Sequence, residues 1–467
     1  MATQTVGRRW LPDPKTPNTR TLTHLMAAQE EIQLWQTAPP AMLLPKISDK
    51  TQQQSVLIAA RQNPGYVIAA GQVGHAIVSR ASHLLLDYSQ AACSMRYQID
   101  GQWEQLPPLP RDAGDAMLIA FKQVCQLNPA DRRSAQAGKC DVKIQRDKFV
   151  LTMQSQGIPT GERVLIKIEA EKIPFSTLAD LGMRDAMIDQ FRALLNSEGS
   201  TVVISSPKAA GLTTSWQVAI NAADRLIRDF QSVEPESEKE PEIININPNF
   251  YGGSTGLAAS ELMRKIILKE PDVFLFPTIP DDRSLQMGLE QTSKNEKQVI
   301  ARFAATTAVE AAAKIAAQFP ESAKLFAATL KGVLNQRIVR RLCENCKVSY
   351  QPPPALLQRL GIPAGRVTVL YQPFVPPPIE QQVDANGKPA PIQPCHVCQG
   401  RGYYGRVAIF ELLTPGDKFR AALVKTQDVA QLTMIAKEEG HRSLQAEGVL
   451  TVARGLTGLD ELKRVFT

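Results

Sequence analysis

The stretch VVISSPKAAGLTTSW, residues 202–216, decides how the rest of the chain is interpreted. It begins as a buried β-branched strand, turns at a proline, and continues into a helix whose first turn contains two threonines. This strand–loop–helix outline is that of a phosphate-binding loop, in which backbone N–H groups at the start of a helix surround an anion. The lysine that such a loop needs is missing from its expected place.

Strands and helices alternate on both sides of this stretch, from about residue 176 to residue 342. STVVIS and PDVFLF indicate strands, and helices are predicted in AMIDQFRALL, SWQVAINAADRLIRDF, AASELMRKIILK and AVEAAAKIAAQF. This alternation predicts a parallel sheet with helices on both faces. The segment QSVEPESEKEPE, residues 231–242, is expected to be an acidic surface loop between a helix and a strand.

The composition is that of an ordinary globular protein. The chain has 467 residues, of which 43% are hydrophobic and 21% are charged. Its net charge of +7 favours acidic partners only weakly, because Lys and Arg are scattered, and this disfavours nucleic acid as a partner. No apolar run approaches the ~18 residues of a membrane span. The N-terminus also lacks an apolar segment of signal-peptide type. We therefore expect a cytoplasmic protein whose association with a membrane, if any, is peripheral.

Cysteine usage indicates a metal site. Of seven cysteines, four form two C-x-x-C pairs, in RRLCENCKVSY and QPCHVCQGRGYYG. Four thiolates can close a tetrahedral zinc site, whose role would be structural because no coordination position stays open. The ion would join the two ends of the proline-rich segment 347–394, which has little core of its own. The alternative is two redox-active or idle pairs, although the thioredoxin-like βαβ context is missing. The predicted ligands are Cys343, Cys346, Cys395 and Cys398.

The order of several segments resembles the assembly ATPases of bacterial type II secretion and type IV pili. QRIVRRLCENCK followed by CHVCQGRGYYGRVAIFELL is similar to the tetracysteine signature of that family, and EEGHRSLQAEGVLTVARGLTGLDELKRV is similar to its closing helices. ASHLLLDY, MRYQIDG, NPADRRSAQAGK and IPTGERVLIKI resemble its domain before the motor. The resemblance runs from about residue 70 to the end, and the cysteine pairs favour an assembly or secretion relative over the retraction branch.

The resemblance implies a hexamer of RecA-like motors that hydrolyse ATP at subunit interfaces and act with inner-membrane platform proteins. The implied fold class is α/β, with a mixed α+β N-terminal domain, a RecA-like P-loop-type domain with a parallel sheet, a tetracysteine zinc subdomain and a helical C-terminal end. The expected segments are 1–50 (loosely ordered), 51–175 (α+β domain preceding the motor), 176–342 (RecA-like ATPase-type domain), 343–414 (zinc subdomain with a proline-rich insertion) and 415–467 (helical C-terminal subdomain).

The phosphate loop departs from the pattern G-x-x-x-x-G-K-[ST] at its lysine. Leu212 takes that position, where a lysine would reach the β- and γ-phosphates beside a hydroxyl that holds magnesium. Leucine cannot donate to a phosphate, and loss of a preorganised donor costs on the order of a hundredfold or more in rate. Lys208, at the other end of the loop, is the alternative cation. The candidate nucleotide-binding residues of this degenerate loop are Ser206, Pro207, Lys208, Gly211, Thr213 and Thr214.

Three further motifs implied by the resemblance also contain neutral residues. The second-strand motif corresponds to 270–282, where Asp272 and Asp281 remain but the glutamate and arginine positions are neutral. The acidic box corresponds to 245–253 and the histidine box to 299–309. The neutral residues at the expected acidic, arginine and histidine positions are Thr278, Pro280, Ile246, Asn247, Phe250 and Ala305.

Simpler structural roles compete with each of these assignments. The two loop threonines can cap the following helix, which we favour over magnesium binding, and Gly211 can serve a tight turn. Asp281 and Asp282 are expected in a solvated turn, and RIVRR, residues 337–341, on a solvated or subunit-facing surface. The histidines without a catalytic companion in the sequence are His75, His83 and His441.

The sequence therefore predicts a catalytically impaired member of this ATPase family. It would be a structural or regulatory cytoplasmic subunit of a secretion or pilus machine, with an active ATPase paralogue as a further partner. Whether ATP and magnesium still bind stays open. One alternative is an active ATPase that uses Lys208 and an acid from Asp272, Asp281 or a neighbouring subunit. Another is a zinc-stapled basic module that binds nucleic acid.

Overall fold

A computed structural model describes residues 33–172, 174–382 and 390–466, and the chain divides into two compact units, Met1–Lys172 and Ile173–Thr467. Most of the segment expected to be loosely ordered, residues 1–32, lies outside the described residues. Within the described ranges, no helix combines the length and the apolar character needed to cross a membrane.

The described part of the first unit is an antiparallel sheet of seven strands, in the order β1-β5-β6-β7-β2-β3-β4, with three helices packed against it. Burial alternates along the strands, as in VLIKI of β7, so one face of the sheet carries the core. Within this sheet β2 pairs with β3, and β6 pairs with β7. The elements are β1 (Met42–Pro45), α1 (Lys50–Gln62), α2 (Gly65–Val78), β2 (Ala81–Tyr88), β3 (Ala92–Ile99), β4 (Gln102–Pro110), α3 (Arg111–Val124), β5 (Gln136–Ile144), β6 (Asp147–Ile158) and β7 (Gly161–Ala170).

The second unit is built on a seven-stranded sheet in the order β10-β9-β11-β12-β8-β13-β16. All neighbouring strands are parallel except β16, which is antiparallel to β13. One strand, β12, separates β8, which leads into the phosphate loop, from β11, and the RecA-like α/β expectation is confirmed. The strands are β8 (Ser200–Ser206), β9 (Phe230–Pro235), β10 (Ile246–Tyr251), β11 (Val273–Phe276), β12 (Gln298–Ala304), β13 (Leu330–Leu342) and β16 (Tyr403–Leu413).

Helices cover both faces of this sheet. Alternate residues of β8 show this, because Val203 belongs to one apolar cluster whereas Val202 and Ile204 belong to another. Such double coverage explains why the strands read as continuous apolar runs. The helices are α4 (Asp185–Leu195), α5 (Leu212–Ala222), α6 (Ala259–Ile267), α7 (Asp282–Asn295), α8 (Ala308–Gln318), α9 (Ala323–Thr329), α11 (Asp417–Lys425), α12 (Val429–Glu438), α13 (Leu444–Ala453) and α14 (Leu459–Phe466).

Two expectations about the chain after the phosphate loop are wrong. The helix predicted in SWQVAINAADRLIRDF ends at Ala222, because Ala223 is extended and the side chain of Asn196 accepts a hydrogen bond from the backbone of Asp224. The segment 231–242 is not wholly a surface loop, since its first residues belong to β9. β9 is an interior strand that pairs with β10 and β11, and its polar residues are therefore buried.

The segment between the cysteine pairs is more structured than its proline content suggests. It contains β14 (Val348–Tyr350), α10 (Pro354–Arg359) and β15 (Leu370–Gln372), and β14 pairs with β15. Leu370 is fully buried in a small apolar cluster with Val452 and Leu462 of the C-terminal helices. The segment therefore shares a core with those helices instead of depending on a metal alone.

Candidate functional site

The phosphate loop keeps the shape of an anion-binding turn. It connects the end of β8 at Ser206 to α5, which begins at Leu212 with Gly211 as its N-cap residue. Gly211 has a φ of 79° and Ala209 a φ of 59°, so both occupy the left-handed region. A β-carbon makes that conformation costly for Ala209, by roughly 1 kcal/mol. The first N–H groups of α5 remain available to an anion, as at any helix N-terminus.

Contacts with β13 hold the loop in this shape. Gln336 donates from Nε2 to the carbonyl oxygen of Ala210 at 2.8 Å and accepts from the hydroxyl of Ser215. A β-carbon added to Gly211 would lie 2.8 Å from Cδ1 of Ile338, so glycine is needed here for space as well as for its φ. Uncharged groups of the protein alone thus stabilise the turn.

The loop, residues 206–214, contains one charged side chain, that of Lys208. Leu212, at the first position of α5, is half-buried and packs against the apolar cluster that contains Trp216. Lys208 is exposed. Thr213 and Thr214 lie inside α5, and the N-cap is Gly211, which has no side chain. The predicted threonine cap is therefore wrong.

The two aspartates proposed as substitute acids, Asp272 and Asp281, make structural hydrogen bonds instead. Asp272 precedes the first residue of β11, which is level with the first residue of the parallel strand β8, whereas the phosphate loop follows the last residue of β8. The two therefore lie at opposite ends of the strands, about 23 Å apart along the seven residues of β8. Asp272 accepts a hydrogen bond from the backbone of Asp229 at 2.8 Å. Asp281 caps α7 by accepting from the backbone of Ser284 at 2.7 Å.

The neighbouring Asp282 also has a structural role, because it accepts hydrogen bonds from the backbone N–H groups of Glu321 and Ser322 at 2.9 and 3.0 Å. Thr278, just past the carboxyl end of β11, is exposed and neutral. Ala305 is buried and donates from its backbone to the carbonyl oxygen of Ser206 at 3.1 Å. The described parts of the second-strand and histidine segments thus provide packing and caps at these positions.

Two carboxylates that the sequence analysis overlooked lie at or just beyond the carboxyl end of β9. Glu234 is only 3% exposed and accepts from the hydroxyl of Ser232 at 2.6 Å and from the backbone of Glu240 at 3.0 Å. Glu240 pairs with Nη2 of Arg302 on β12 at 2.7 Å. The sequence signal that could have predicted this strand is the run FQSVE, which is rich in β-forming residues and precedes a proline. The acidic residues that follow the run obscured that signal.

The four cysteines of the two C-x-x-C pairs come together as predicted from their spacing. Their sulfur atoms all lie within 4.8 Å of one another, with Cys343 Sγ 3.9 Å from Cys395 Sγ and Cys346 Sγ 3.6 Å from Cys398 Sγ. Sulfurs around a tetrahedral zinc ion, each bonded at about 2.3 Å, are about 3.8 Å apart. The cluster therefore has the size and donor set of a metal site.

Hydrogen-bond donors surround these sulfurs as well. A backbone N–H of Cys398 and the amide of Asn345 lower the pKa of Cys395 to about 6, whereas burial and neighbouring thiols raise the pKa of Cys346. The backbone N–H of Gly402 donates to Cys398 Sγ at 3.3 Å. Such N–H···S contacts stabilise thiolates, the form of cysteine that binds metals.

Buried carboxylates hold the C-terminal helices to the sheet. Glu461 of α14 is 1% exposed and accepts from the backbone and Nε of Arg340, both at 2.8 Å. Arg337 donates to the carbonyl oxygen of Val465 at 2.9 Å. These contacts correct the expectation for RIVRR, since Arg337 and Arg340 of β13 bind α14 within the same unit instead of facing solvent or another subunit.

Two more buried glutamates also join elements of the second unit. Glu447 of α13 receives both Nε and Nη2 of Arg184, at 3.0 and 2.7 Å. Glu411 of β16 accepts from the backbone of Leu444 at 2.7 Å and from that of Ala308, the first residues of α13 and α8. His441 has Nε2 3.7 Å from the Glu411 carboxylate.

The remaining histidines have structural neighbours. Nδ1 of His75 lies 3.2 Å from the hydroxyl of Tyr97, and Nδ1 of His83 lies 3.0 Å from that of Ser82. Burial lowers the pKa of His83 despite the hydrogen bond with Gln98 that opposes the shift.

The sequence of this chain is similar to those of two known proteins. The type IV pilus assembly ATPase PilB of Thermus thermophilus is 25% identical over 394 residues, which cover 84% of this chain and 42% of that protein. The type II secretion system protein E of Xanthomonas campestris is 23% identical over 397 residues, which cover 84% and 66% respectively. The chain thus spans less than two thirds of the length of these two relatives.

Structure and family comparisons agree with these sequence similarities. The crystal structure of the ATPase DotB from Legionella pneumophila superposes with a TM-score of 0.54 at 11% identity, over 86% of this chain and 95% of that one, and so shares the fold. A family model described as type II/IV secretion system protein matches residues 64–464. Because that match extends over most of the chain, the chain belongs to the type II/IV secretion system protein family.

Proposed function

We propose that this family member is catalytically impaired in ATP hydrolysis and acts as a structural or regulatory subunit at the cytoplasmic base of a type II secretion or type IV pilus machine. The observation that carries the proposal is the position of Leu212. It occupies the start of α5, where the ammonium group that neutralises the phosphates belongs, and it packs against the apolar cluster that contains Trp216.

The acids around the loop support the same conclusion. Activation of a water molecule needs a carboxylate near the terminal phosphate, and Asp272 lies at the opposite end of the strands while Asp281 caps α7. Two strand carboxylates of this sheet are also engaged, since Glu234 accepts hydrogen bonds from Ser232 and Glu240, and Glu411 accepts from the backbones of Leu444 and Ala308. Among the described residues, the lysine expected at position 212 and an unengaged acid from these motifs are thus missing together, and each contributes on the order of a hundredfold or more to such a reaction.

The decisive experiment measures ATP hydrolysis by the purified full-length protein across magnesium concentrations, together with thermal shifts on adding Mg-ATP or ADP. We expect turnover at the buffer background. An active member of the family assayed in parallel is the positive control. Turnover comparable to that control would refute the proposal, whereas a thermal shift without turnover would mean that nucleotide binds and acts as a regulatory ligand.

The rival function is an active ATPase with relocated groups. It rests on Lys208, which is exposed at the far end of the loop. A Lys208→Ala variant separates the two proposals, with the exposed Lys331→Ala as the matched control. The rival requires ATP binding in the native protein and its loss in Lys208→Ala alone.

We further propose that the four clustered cysteines hold one structural zinc ion. The sulfur spacing and the N–H donors of Asn345 and Gly402 support this assignment. Metal analysis of the purified protein is expected to give one zinc per chain. A Cys395→Ser/Cys398→Ser variant should release it, whereas Cys93→Ala, a buried cysteine of the first unit, should retain it. A full complement of zinc in the double variant would refute the assignment.

The proposed partners are inner-membrane platform proteins and an active ATPase paralogue, in a hexameric ring. The family membership supports this proposal, and an impaired subunit could still complete a ring through its retained fold. Native mass spectrometry after co-expression with an intact family member tests it. Mixed hexamers are expected, and separate species from both chains would count against it.

A nucleic-acid-binding module is the remaining alternative, and only the net charge of +7 favours it. It predicts binding to DNA or RNA that weakens steeply with salt. Arg337 and Arg340 of the basic run are already engaged with α14, which leaves this alternative with less exposed positive charge than the sequence suggested.

A further inference from the structure

A cavity of about 290 Å³ lies beside α5, apart from the phosphate loop. α5, β9, β10, β11 and the segment 239–243 enclose it, and none of residues 206–214 lines it. Its walls are largely apolar, with Trp216 of α5, Leu275 of β11 and Phe250 of β10 among them. Pockets of this size with apolar walls and a few convergent polar groups are the usual form of small-molecule sites.

Carboxylates supply most of the polar groups that line the cavity. Glu234 is 3% exposed and has both oxygens engaged, by Ser232 and by the backbone of Glu240. Glu240 uses Oε1 to bind Nη2 of Arg302, but its Oε2 is buried and, like Nη1 of that arginine, has no hydrogen-bond partner among the described residues. An unpaired buried carboxylate oxygen is costly, by about 1–3 kcal/mol or more, so a donor supplied by a ligand would be stabilised there.

The charges around the cavity indicate whether the ligand is a cation or an anion. Glu234, Glu240 and Glu242 line the cavity with a single lining cation, Lys239, and the guanidinium of Arg302 behind Glu240 offsets one more charge. Both cations also lie near aromatic rings, with Lys239 Nζ 4.7 Å from the Phe250 ring centre and Arg302 Cζ 5.7 Å from that of Trp216. The net negative charge disfavours phosphates and carboxylates and favours a cation over aromatic surfaces.

We propose that this cavity binds a small organic cation, with a protonated amine or amidine directed at Glu240 Oε2 and a compact apolar body against Trp216, Phe250 and Leu275. The amine donates to the unpaired oxygen, and the body displaces water from the apolar walls. This site goes beyond the proposed function, because it does not involve the phosphate loop and its charge excludes a nucleotide. It would remain whether or not the protein hydrolyses ATP.

A charge series of probes tests the proposal on the full-length protein. 2-Phenylethylammonium, 2-phenylethanol and 3-phenylpropionate share an aromatic body and differ in charge, and calorimetric titration at neutral pH ranks them. The expected order of affinity is the amine, then the alcohol, with the acid not binding. Equal affinity for the amine and the acid, or no binding of any of the three at millimolar concentration, would overturn the proposal.

Three variants locate the binding. Glu240→Gln is expected to weaken the amine about tenfold and to leave the alcohol unchanged, because it removes the charge and keeps the shape. Ile246→Trp, which fills the cavity from β10, is expected to abolish binding of both. Glu261→Gln, exposed on α6 outside the cavity, is the control and should change neither. If Glu240→Gln does not fold, Ile246→Trp decides alone, and unchanged binding of the amine in either folded variant would contradict the site.

Discussion

The phosphate loop and the base of the C-terminal helices differ in how their charged side chains are arranged. At the loop, Leu212 and the neutral residues of the neighbouring motifs stand where a triphosphate would need charged partners. At the base of the helices, Glu411, Glu447 and Glu461 are buried, and each has partners matched to it. These three buried carboxylates thus join elements of the second unit through hydrogen bonds from matched donors. Along the described phosphate loop, residues 206–214, the one charged side chain is that of the exposed Lys208.

The largest effect that would break this comparison is expected at Glu461. Replacement by alanine leaves Arg340 without its partner in a region where Glu461 itself is 1% exposed, and breaking a buried pair in this way costs about 3–5 kcal/mol. Chemical denaturation of the second unit measures it. The neighbouring Asp460→Ala is the control, since its carboxylate is 84% exposed and should matter by less than about 1 kcal/mol. Similar losses for both variants would contradict the buried role of Glu461.

The next effect concerns the shape of the phosphate loop. Gly211→Ala combines a φ of 79° with a contact 2.8 Å from Ile338, and we expect a loss of about 2 kcal/mol in the free energy of unfolding. Gly256→Ala is the matched control, because its φ is 59° and no atom lies within 4 Å of the added carbon, so about 1 kcal/mol is expected. An equal loss in both variants would mean that the contact with β13 does not constrain the loop.

A smaller effect is expected from acid. Burial alone would raise the pKa of Glu461, but hydrogen bonds from Arg464 and Arg340 outweigh it and lower that pKa below its ordinary value. The carboxylate therefore stabilises the folded state above the unfolded pKa of about 4.3, and this contribution is lost as pH falls through the folded pKa. The difference in unfolding free energy between the native protein and Glu461→Gln should shrink from pH 7 to pH 3. A constant difference over that range would be inconsistent with this linkage.

The smallest effect on stability is expected at Leu212. A lysine there can pack its methylene groups and extend its ammonium into solvent, so Leu212→Lys should change the unfolding free energy by less than about 1 kcal/mol. It restores a cation but no acid, and turnover should therefore stay at background while the thermal shift with Mg-ATP increases. Recovery of turnover in this single variant would show that only the cation was missing.

The features that could be predicted from the sequence are those that depend on residues close together in the chain. The α/β order and the cysteine cluster followed from short-range patterns, namely alternating runs and C-x-x-C spacing. The roles of Asp272 and Arg340 did not, because they depend on which end of the strands and which later helix each one meets. Glu234 was missed for a related reason, since an acidic residue becomes a core residue only when its strand is paired on both sides.

Glu411 has a consequence for motion within the second unit. Each helix N-terminus carries about half a positive charge, so the first residues of α8 and α13 together balance one carboxylate without lysine or arginine. Separating the two helices would leave the Glu411 carboxylate buried without these two hydrogen-bond donors. The segment that follows β12, which bonds through Ala305 to the end of β8, and the C-terminal helices should accordingly shift as a single rigid body.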